Sequence, residues 1–231
     1  MVSAERPASS RTRTRVVWSR VRHVAWDWNG TLFDDAWLCV EIMDRLLRRH
    51  GLPGLTPRRY ADIFDFPVRE YYRRLGWDAV AAPFEKVGAD FMREYERRRL
   101  ECRLRRGARA AVAGLARRGI GQTVISAYRE DTLRELLRHF GLDRWMEGIV
   151  GGSDIYAAGK LERALSWFRR AGWRGPEVVV IGDTTHDAAI ARAMGAQCRL
   201  VCAGHQSRAR LAMTGYPVIT SLRELGLWMR R

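Results

Sequence analysis

A chain of 231 residues that is 47% hydrophobic and 29% charged can bury the core of one α/β domain with a modest insertion. Its longest apolar run falls well short of the ~18 residues of a membrane span, which argues against a membrane protein. The formal charge of +15 raises the question of nucleic acid, but only Lys86 and Lys160 among 41 basic residues are lysines, and the arginines are scattered over every predicted helix. The charge therefore reads as a compositional bias, nucleic acid is not an expected partner, and the field suits small anionic substrates better.

Residues 1–18 are rich in Arg, Ser and Thr and poor in apolar side chains, which predicts a disordered basic tail. Val21 to Asp27 reads as a buried strand that ends abruptly in a carboxylate. Buried carboxylates need partners, a metal or a task. Asn29, two places on, is the only asparagine in the chain. A helix follows from about Asp35 to Arg49, with Asp35 as its cap and Gly51 as its stop. Asp34 and Asp35 are read as caps rather than ligands. Thr56-Pro57 opens a second helix. A break at Phe66-Pro67 precedes a third through Arg74, and a fourth runs from about Pro83 to Cys102. Residues 36–104 thus carry helices and no clear strand.

After Gly107 the pattern changes. Helices over 108–118, 129–140, 160–171 and 186–194 alternate with strands over 122–125, 148–150, 178–181 and 199–202. A helix near 207–213, a short strand at 218–219 and a last helix complete the chain. This alternation predicts βαβ units and a doubly wound parallel sheet of α/β class. The core spans 19–35 and 105–231, and the all-helical block 36–104 reads as a cap domain grafted after the first strand, where a lid over the active edge belongs. Cys39, Cys102, Cys198 and Cys202 do not form a disulfide framework and read as buried thiols of a reducing, cytoplasmic compartment.

The ends of several strands present polar groups: Asp27, then Ser126, then Asp183 with Asp187 four residues on. Lys160 starts a helix between them. In an open parallel sheet such ends converge on one crevice. Several carboxylates in a small space cannot all ionise without a cation, and hard oxygen donors of this kind suit Mg²⁺. Lys160 and Ser126 remain to hold a phosphoryl group, and Gly30 lets the backbone approach it. In a chain that writes Arg almost everywhere, a Lys at 160 signals a need for a compact point charge. Phe64, Phe66, Arg69, Tyr71 and Tyr72 lie where a lid could face the site, although such aromatics can equally be the lid's own core. His186 reads as a surface or cap-facing residue.

Asp27-Trp28-Asn29-Gly30-Thr31-Leu32, Ser126 after Thr123-Val124-Ile125, Lys160, and Gly182-Asp183-Thr184-Thr185-His186-Asp187 together resemble, in order, the four motifs of the haloacid dehalogenase-like superfamily. The helical insertion resembles the cap of its phosphoglycolate phosphatase-like branch. The resemblance implies an Mg²⁺-dependent phosphatase acting on a small phosphorylated metabolite, as a monomer or homodimer. Asp27 would attack phosphorus and carry an aspartyl-phosphate. Asp27, the carbonyl of Asn29 and Asp183 would hold the metal, with Asp187 nearby. Ser126 and Lys160 would bind the phosphoryl oxygens; Thr31 and Ala127 beside them, and Arg69 by its place in the lid, are further candidates for substrate binding. One departure stands out. Active members of the family usually carry an Asp where Asn29 stands, and that Asp shuttles the proton of the leaving group. An amide cannot do so, and general acid–base catalysis is worth roughly 10²–10⁴-fold. Poor alcohol leaving groups should suffer most, and aryl or acyl phosphates least. Two alternatives stay open: a catalytically weak phosphate-binding or regulatory protein, and a phosphotransferase.

Overall fold

The apolar run after Val21 forms the centre of a parallel sheet. The computed structural model describes residues 16–77, 83–153 and 159–228. Strand β1 (His23–Trp26) is buried along its whole length. Its neighbours are β4 (Gly121–Arg129) and β6 (Val178–Gly182), both parallel to it. Strands β5 (Gly148–Gly152), β7 (Gln197–Val201) and β8 (Val218–Ile219) extend the sheet to six strands, in the order β5-β4-β1-β6-β7-β8. A strand covered on both faces must be apolar on both. Val24, Trp26, Val179 and Ile181 enter one apolar layer, and Ala25, Val178 and Val180 enter the other. The first layer includes helices α5 (Ala108–Ala116) and α6 (Glu130–His139); the second includes α7 (Lys160–Ala171) and α8 (Thr185–Ala193). Helix α9 (Arg208–Ala212) packs beside β8, and α10 (Arg223–Trp228) packs on α5. The doubly wound α/β class read from the alternation is the observed one.

Between β1 and β4 the chain makes an excursion. Strand β2 (Phe33–Asp34) pairs antiparallel with β3 (Arg103–Leu104), and four helices lie between them: α1 (Ala36–Arg49), α2 (Pro57–Ile63), α3 (Val68–Leu75) and α4 (Phe84–Arg98). Thr56 caps α2 by accepting from the Arg59 N–H at 3.2 Å. The face of α3 made by Val68, Tyr71, Tyr72 and Leu75 follows the i, i+3, i+4, i+7 spacing of a packed stripe.

Several boundaries differ from the sequence reading. The two-stranded ribbon was not foreseen, because two residues a side carry no readable period. The fourth helix ends at Arg98, and a tight turn over Arg99–Glu101 replaces its last turn. Strand β4 continues past Ser126 to Arg129, with a register shift against β5 between Ile125 and Arg129. Ser126 and Ala127 therefore sit in an irregular stretch of strand rather than in a loop beyond it. Residues 1–15 of the expected tail lie outside the described residues, but 16–18 do not behave as a tail: Val16 is buried and Trp18 packs against the core. No helix among the described residues is long and apolar enough to cross a membrane.

Candidate active site

Parallel alignment brings the carboxyl ends of β1 and β6 side by side. Asp27 follows β1, its backbone N–H bonded to the Ile181 carbonyl at 2.8 Å, and Asp183 follows β6. Asp187 lies one turn into α8, where its carboxylate accepts from both the N–H and the hydroxyl of Thr184, at 3.0 and 2.7 Å. The three carboxylates are buried, and ligand oxygens from each lie within 4.8 Å of one another. Lys160, at the first residue of α7, reaches between two of them. Its Nζ donates to Asp27 Oδ1 at 2.5 Å and to Asp187 Oδ1 at 2.6 Å. Thr31 and the His205 backbone N–H donate to the two oxygens of Asp183, at 2.9 and 2.5 Å.

These charges are not independent. Burial pushes the Asp27 carboxyl well above the usual range against the pull of Lys160, and Asp187 and Asp183 push it the same way. Burial also raises Asp183. For Asp187 burial is outweighed by Lys160, and its carboxyl is held low. Lys160 is in turn raised by Asp187 and Asp27 against the cost of its own burial.

A second network adjoins the first. Asp35 begins α1 but makes no capping bond of its own. Its Oδ1 instead accepts from the Gly30 N–H at 2.8 Å and lies 3.4 Å from His205 Nε2. Its Oδ2 accepts from Asn29 Nδ2 at 2.8 Å and from the Tyr95 hydroxyl at 2.7 Å. His205 Nδ1 is 2.7 Å from the Tyr60 hydroxyl. Burial works against charge on His205, but Asp35, Asp183 and Asp27 outweigh it and hold its pKa up at about 9. The turn that assembles this network depends on glycine. Gly30 has φ +73°, and a Cβ there would collide with the Asp183 carboxylate and the His205 ring. A Cβ on Gly204 would strike Asp183 as well.

Asn29 is fixed from both ends of its amide. Its Nδ2 is shared between Asp35 and Tyr95, the latter at 2.9 Å, and its Oδ1 faces the Ser126 hydroxyl at 3.3 Å. Ser126 Oγ also accepts from the Tyr128 N–H at 3.0 Å.

Above these groups lies a cavity of about 160 Å³. Asp27, Asn29, Asp35, Asp183, Lys160 and His205 form its polar floor, and Ser126, Ala127, Tyr128 and Arg129 one side. The opposite wall comes from α1–α4 and the loops between them and is apolar or aromatic throughout. Phe64, Phe66, Tyr71 and Tyr72 are in that wall, and they also pack on one another. His186 meets Phe66, ring centroids 5.0 Å apart, so it does face the helical layer.

Of the residues singled out from sequence, Asp27, Asn29, Ser126, Ala127, Lys160 and Asp183 line the cavity together. Thr31 is fully buried and stands behind Asp183. Asp187 is in the carboxylate cluster, with both oxygens already hydrogen-bonded. Arg69 is not among the lining residues; it pairs with Glu85 at 2.6 Å on the outside of the helical layer. Asp35, Tyr60, Tyr95 and His205 were missed. Asp35 was read as a cap from its local position. His205 carried one usable signal, since it follows a strand of a parallel sheet at its carboxyl end.

The donor set fits a divalent cation. Four buried carboxylates, Asp27, Asp35, Asp183 and Asp187, face two buried cations, Lys160 and His205. Full ionisation leaves two positive charges lacking, and carboxylate oxygens suit a hard metal ion.

Comparison with known proteins agrees with this geometry. A family model described as haloacid dehalogenase-like hydrolase matches residues 24–201. The tyrosine-protein kinase PtkA of Mycobacterium tuberculosis is 28% identical over 202 residues, covering 85% of this chain and 67% of the relative. A haloacid dehalogenase-like family hydrolase from Streptococcus pneumoniae superposes with a TM-score of 0.73 at 15% identity, over 91% of this chain and 99% of its own. A structure described as a predicted phosphoglycolate phosphatase from Haemophilus somnus gives 0.73 at 14% identity, over 92% and 99%. At these identities the structural likeness speaks for the fold.

Proposed function

We propose an Mg²⁺-dependent phosphatase, because this chain belongs to the haloacid dehalogenase-like hydrolases and keeps the nucleophilic carboxylate, the acidic cluster and the phosphate-binding Lys160 and Ser126, with Asn29 alone replacing the proton-shuttling Asp. The observation that carries the reading is the meeting of Asp27, Asp183, Asp187 and Lys160 at the carboxyl ends of the strands, on the floor of a cavity. The helices of residues 36–104 act as the cap that selects the substrate, a small phosphorylated molecule. Asp27 holds Lys160 through Oδ1 and has Oδ2 left to attack phosphorus in line. The new Asp27–phosphorus bond forms as the bond to the leaving oxygen breaks, and water then attacks phosphorus to release phosphate and restore Asp27.

Lys160, Ser126 and Ala127 hold the phosphoryl oxygens, with Lys160 kept cationic by Asp27 and Asp187. Asp27, Asp183 and the Asn29 carbonyl would hold the metal, with Asp187 beside them, and it would supply positive charge to the transferring group. Asn29 orients Ser126 and moves no proton.

The test is turnover of phenyl phosphate with and without Mg²⁺. The expected result is metal-dependent release of phosphate, reduced at least 10³-fold in Asp27→Asn. Equal rates in parent and variant would sink the proposal.

The pinned amide of Asn29 favours a second reading as well. Without a base to activate water, the aspartyl-phosphate is long-lived and open to another acceptor. The kinase name of the PtkA relative is consistent with such transfer. A burst of one phenol per chain followed by slow phosphate release, with partition to an added alcohol, would favour it.

A further inference from the structure

We infer that the organic part of the substrate is an aryl group, so that the preferred substrates are aryl phosphate monoesters. The inference rests on the phosphatase reading above and deepens it.

The first argument is the chemistry of the cap wall. Among the described residues, the cap contributes no ionisable acid or base of ordinary charge to the cavity lining. What it contributes is chiefly Phe64, Phe66, Phe84, Phe91 and Met92, with the rings of four tyrosines. Phe64, Phe84, Phe91 and Met92 are only part-buried although they pack against the core cluster, and Phe66 is part-buried against Phe64 and His186, so each keeps surface free. Part-buried rings and a thioether around a concave site are suited to a flat apolar partner.

The second argument is what the site cannot offer. A substrate with a carboxylate beyond its phosphate needs a cation to meet it. Among the described lining residues, Lys160 is committed to Asp27 and Asp187 and His205 to Asp35, and Arg129, 46% exposed at the rim beside Asp131, is the one cation outside the polar floor. A polyhydroxylated substrate needs several free hydrogen-bonding groups on the wall. Of its four tyrosine hydroxyls, those of Tyr60 and Tyr95 are bonded to His205 and Asp35 and that of Tyr71 is buried away from solvent, which leaves at most Tyr72. Polar groups buried against such a wall would lose their water without replacement.

The third argument is the leaving group, and it is independent of the wall. Asn29 is held by Asp35, Tyr95 and Ser126 and has no proton to give in the bond-breaking step. A phenol, with a pKa of about 10, leaves as phenolate with the bonding electron pair and takes its proton from water afterwards. An alkanol, whose acidity is close to the ~15.7 of water, needs a proton as the bond breaks. The apolar wall and the missing proton donor select the same class of ester.

Four probes separate these arguments: phenyl phosphate, benzyl phosphate, acetyl phosphate and glycerol 3-phosphate. The first two are aromatic, and the first and third carry good leaving groups. The expected KM of both aromatic esters is at least tenfold below that of the other two. The expected kcat is high for phenyl and acetyl phosphate and low for benzyl and glycerol phosphate. Phe91→Ala should shrink the KM advantage of phenyl over acetyl phosphate by about tenfold.

Binding to Asp27→Asn provides a readout that does not need turnover. Calorimetry should give phenyl phosphate a Kd at least tenfold below that of glycerol 3-phosphate. If no ester is turned over but this preference holds, the phosphatase reading fails and the aryl site stands. Equal Kd values for the two, or a lower KM for glycerol 3-phosphate, would overturn the inference.

Discussion

Two buried histidines lie at opposite ends of the same sheet, and their surroundings drive them in opposite directions. His23 opens β1 and is wrapped by Trp173, Trp167 and Phe168, with ring centroids 4.7, 5.4 and 6.1 Å away. Its Nε2 lies 2.9 Å from the Thr123 hydroxyl, and burial pulls its pKa down to about 4. His205 follows β7 and meets Asp35, Asp183 and Tyr60 instead. Burial opposes its charge too, yet the carboxylates hold it at about 9. Burial thus leaves a neutral packing residue at the amino edge and a cation at the carboxyl edge. The difference lies in the company each keeps: rings and one exposed carboxylate, Glu147, at one end, and buried carboxylates gathered by converging strand ends at the other.

The largest expected effect comes from breaking the charged end. Asp35→Asn leaves His205 without its nearest carboxylate and should cost about 3–5 kcal/mol of stability, as removal of one partner of a buried pair does. His205→Gln should be costly for the same reason. The double variant should lose less than the sum, with a coupling of roughly 2 kcal/mol by urea unfolding. The matching cycle between His23 and Glu147 should show no coupling at pH 7, because His23 is neutral there and Glu147, 3.5 Å away, has a side chain 57% exposed. Additive losses at Asp35 and His205 would erase the contrast between the two ends.

A smaller effect sharpens the neutral end. His23 takes up its proton near 6.5 when unfolded but only near 4 when folded. Between those values the unfolded chain binds more protons, so stability falls as pH drops through that window and is unaffected above it. The full loss is about 3 kcal/mol. His23→Gln should remove that part of the acid limb, measured as the difference in unfolding free energy between pH 7 and pH 4. His205 adds nothing to this limb, since below 6.5 it is protonated in both states. An acid limb unchanged by His23→Gln would mean that the aromatic cage admits a charged ring.

The same contrast explains what could be read from sequence. The β1 core was legible because four consecutive buried residues leave no room for charge, and Asp27 was conspicuous as the carboxylate ending that run. Asp183 and Lys160 were legible through order and spacing along the chain. The network of Asp35, Tyr95 and His205 was not, because its members come from α1, α4 and the loop after β7 and have meaning only once packed together. Asp35 sits where a helix cap belongs, so local grammar gave the wrong reading. The β2–β3 ribbon is too short for any period to show. The N-terminal boundary was placed too late, since Val16 is apolar and buried while the arginines before it dominate the composition.

The smallest expected effect concerns Arg69, which sequence proximity to Phe66 and Tyr71 had placed among the substrate-binding residues. On α3 the inward stripe is Val68, Tyr71, Tyr72 and Leu75, and Arg69 falls off that stripe. Its side chain is 61% exposed, pairs with Glu85, and lies 4.3 Å over the Phe84 ring. An exposed pair gains little because water and salt screen it and two long side chains must be held still. Phe84 is anchored independently by Tyr72, ring centroids 5.1 Å apart. Arg69→Ala should therefore leave the thermal midpoint and the KM for phenyl phosphate within twofold of the parent's scatter. A KM raised tenfold would instead show that the guanidinium turns inward when substrate is bound, and that an exposed cation on the cap reaches a part of the substrate beyond the phosphoryl group that Lys160 holds.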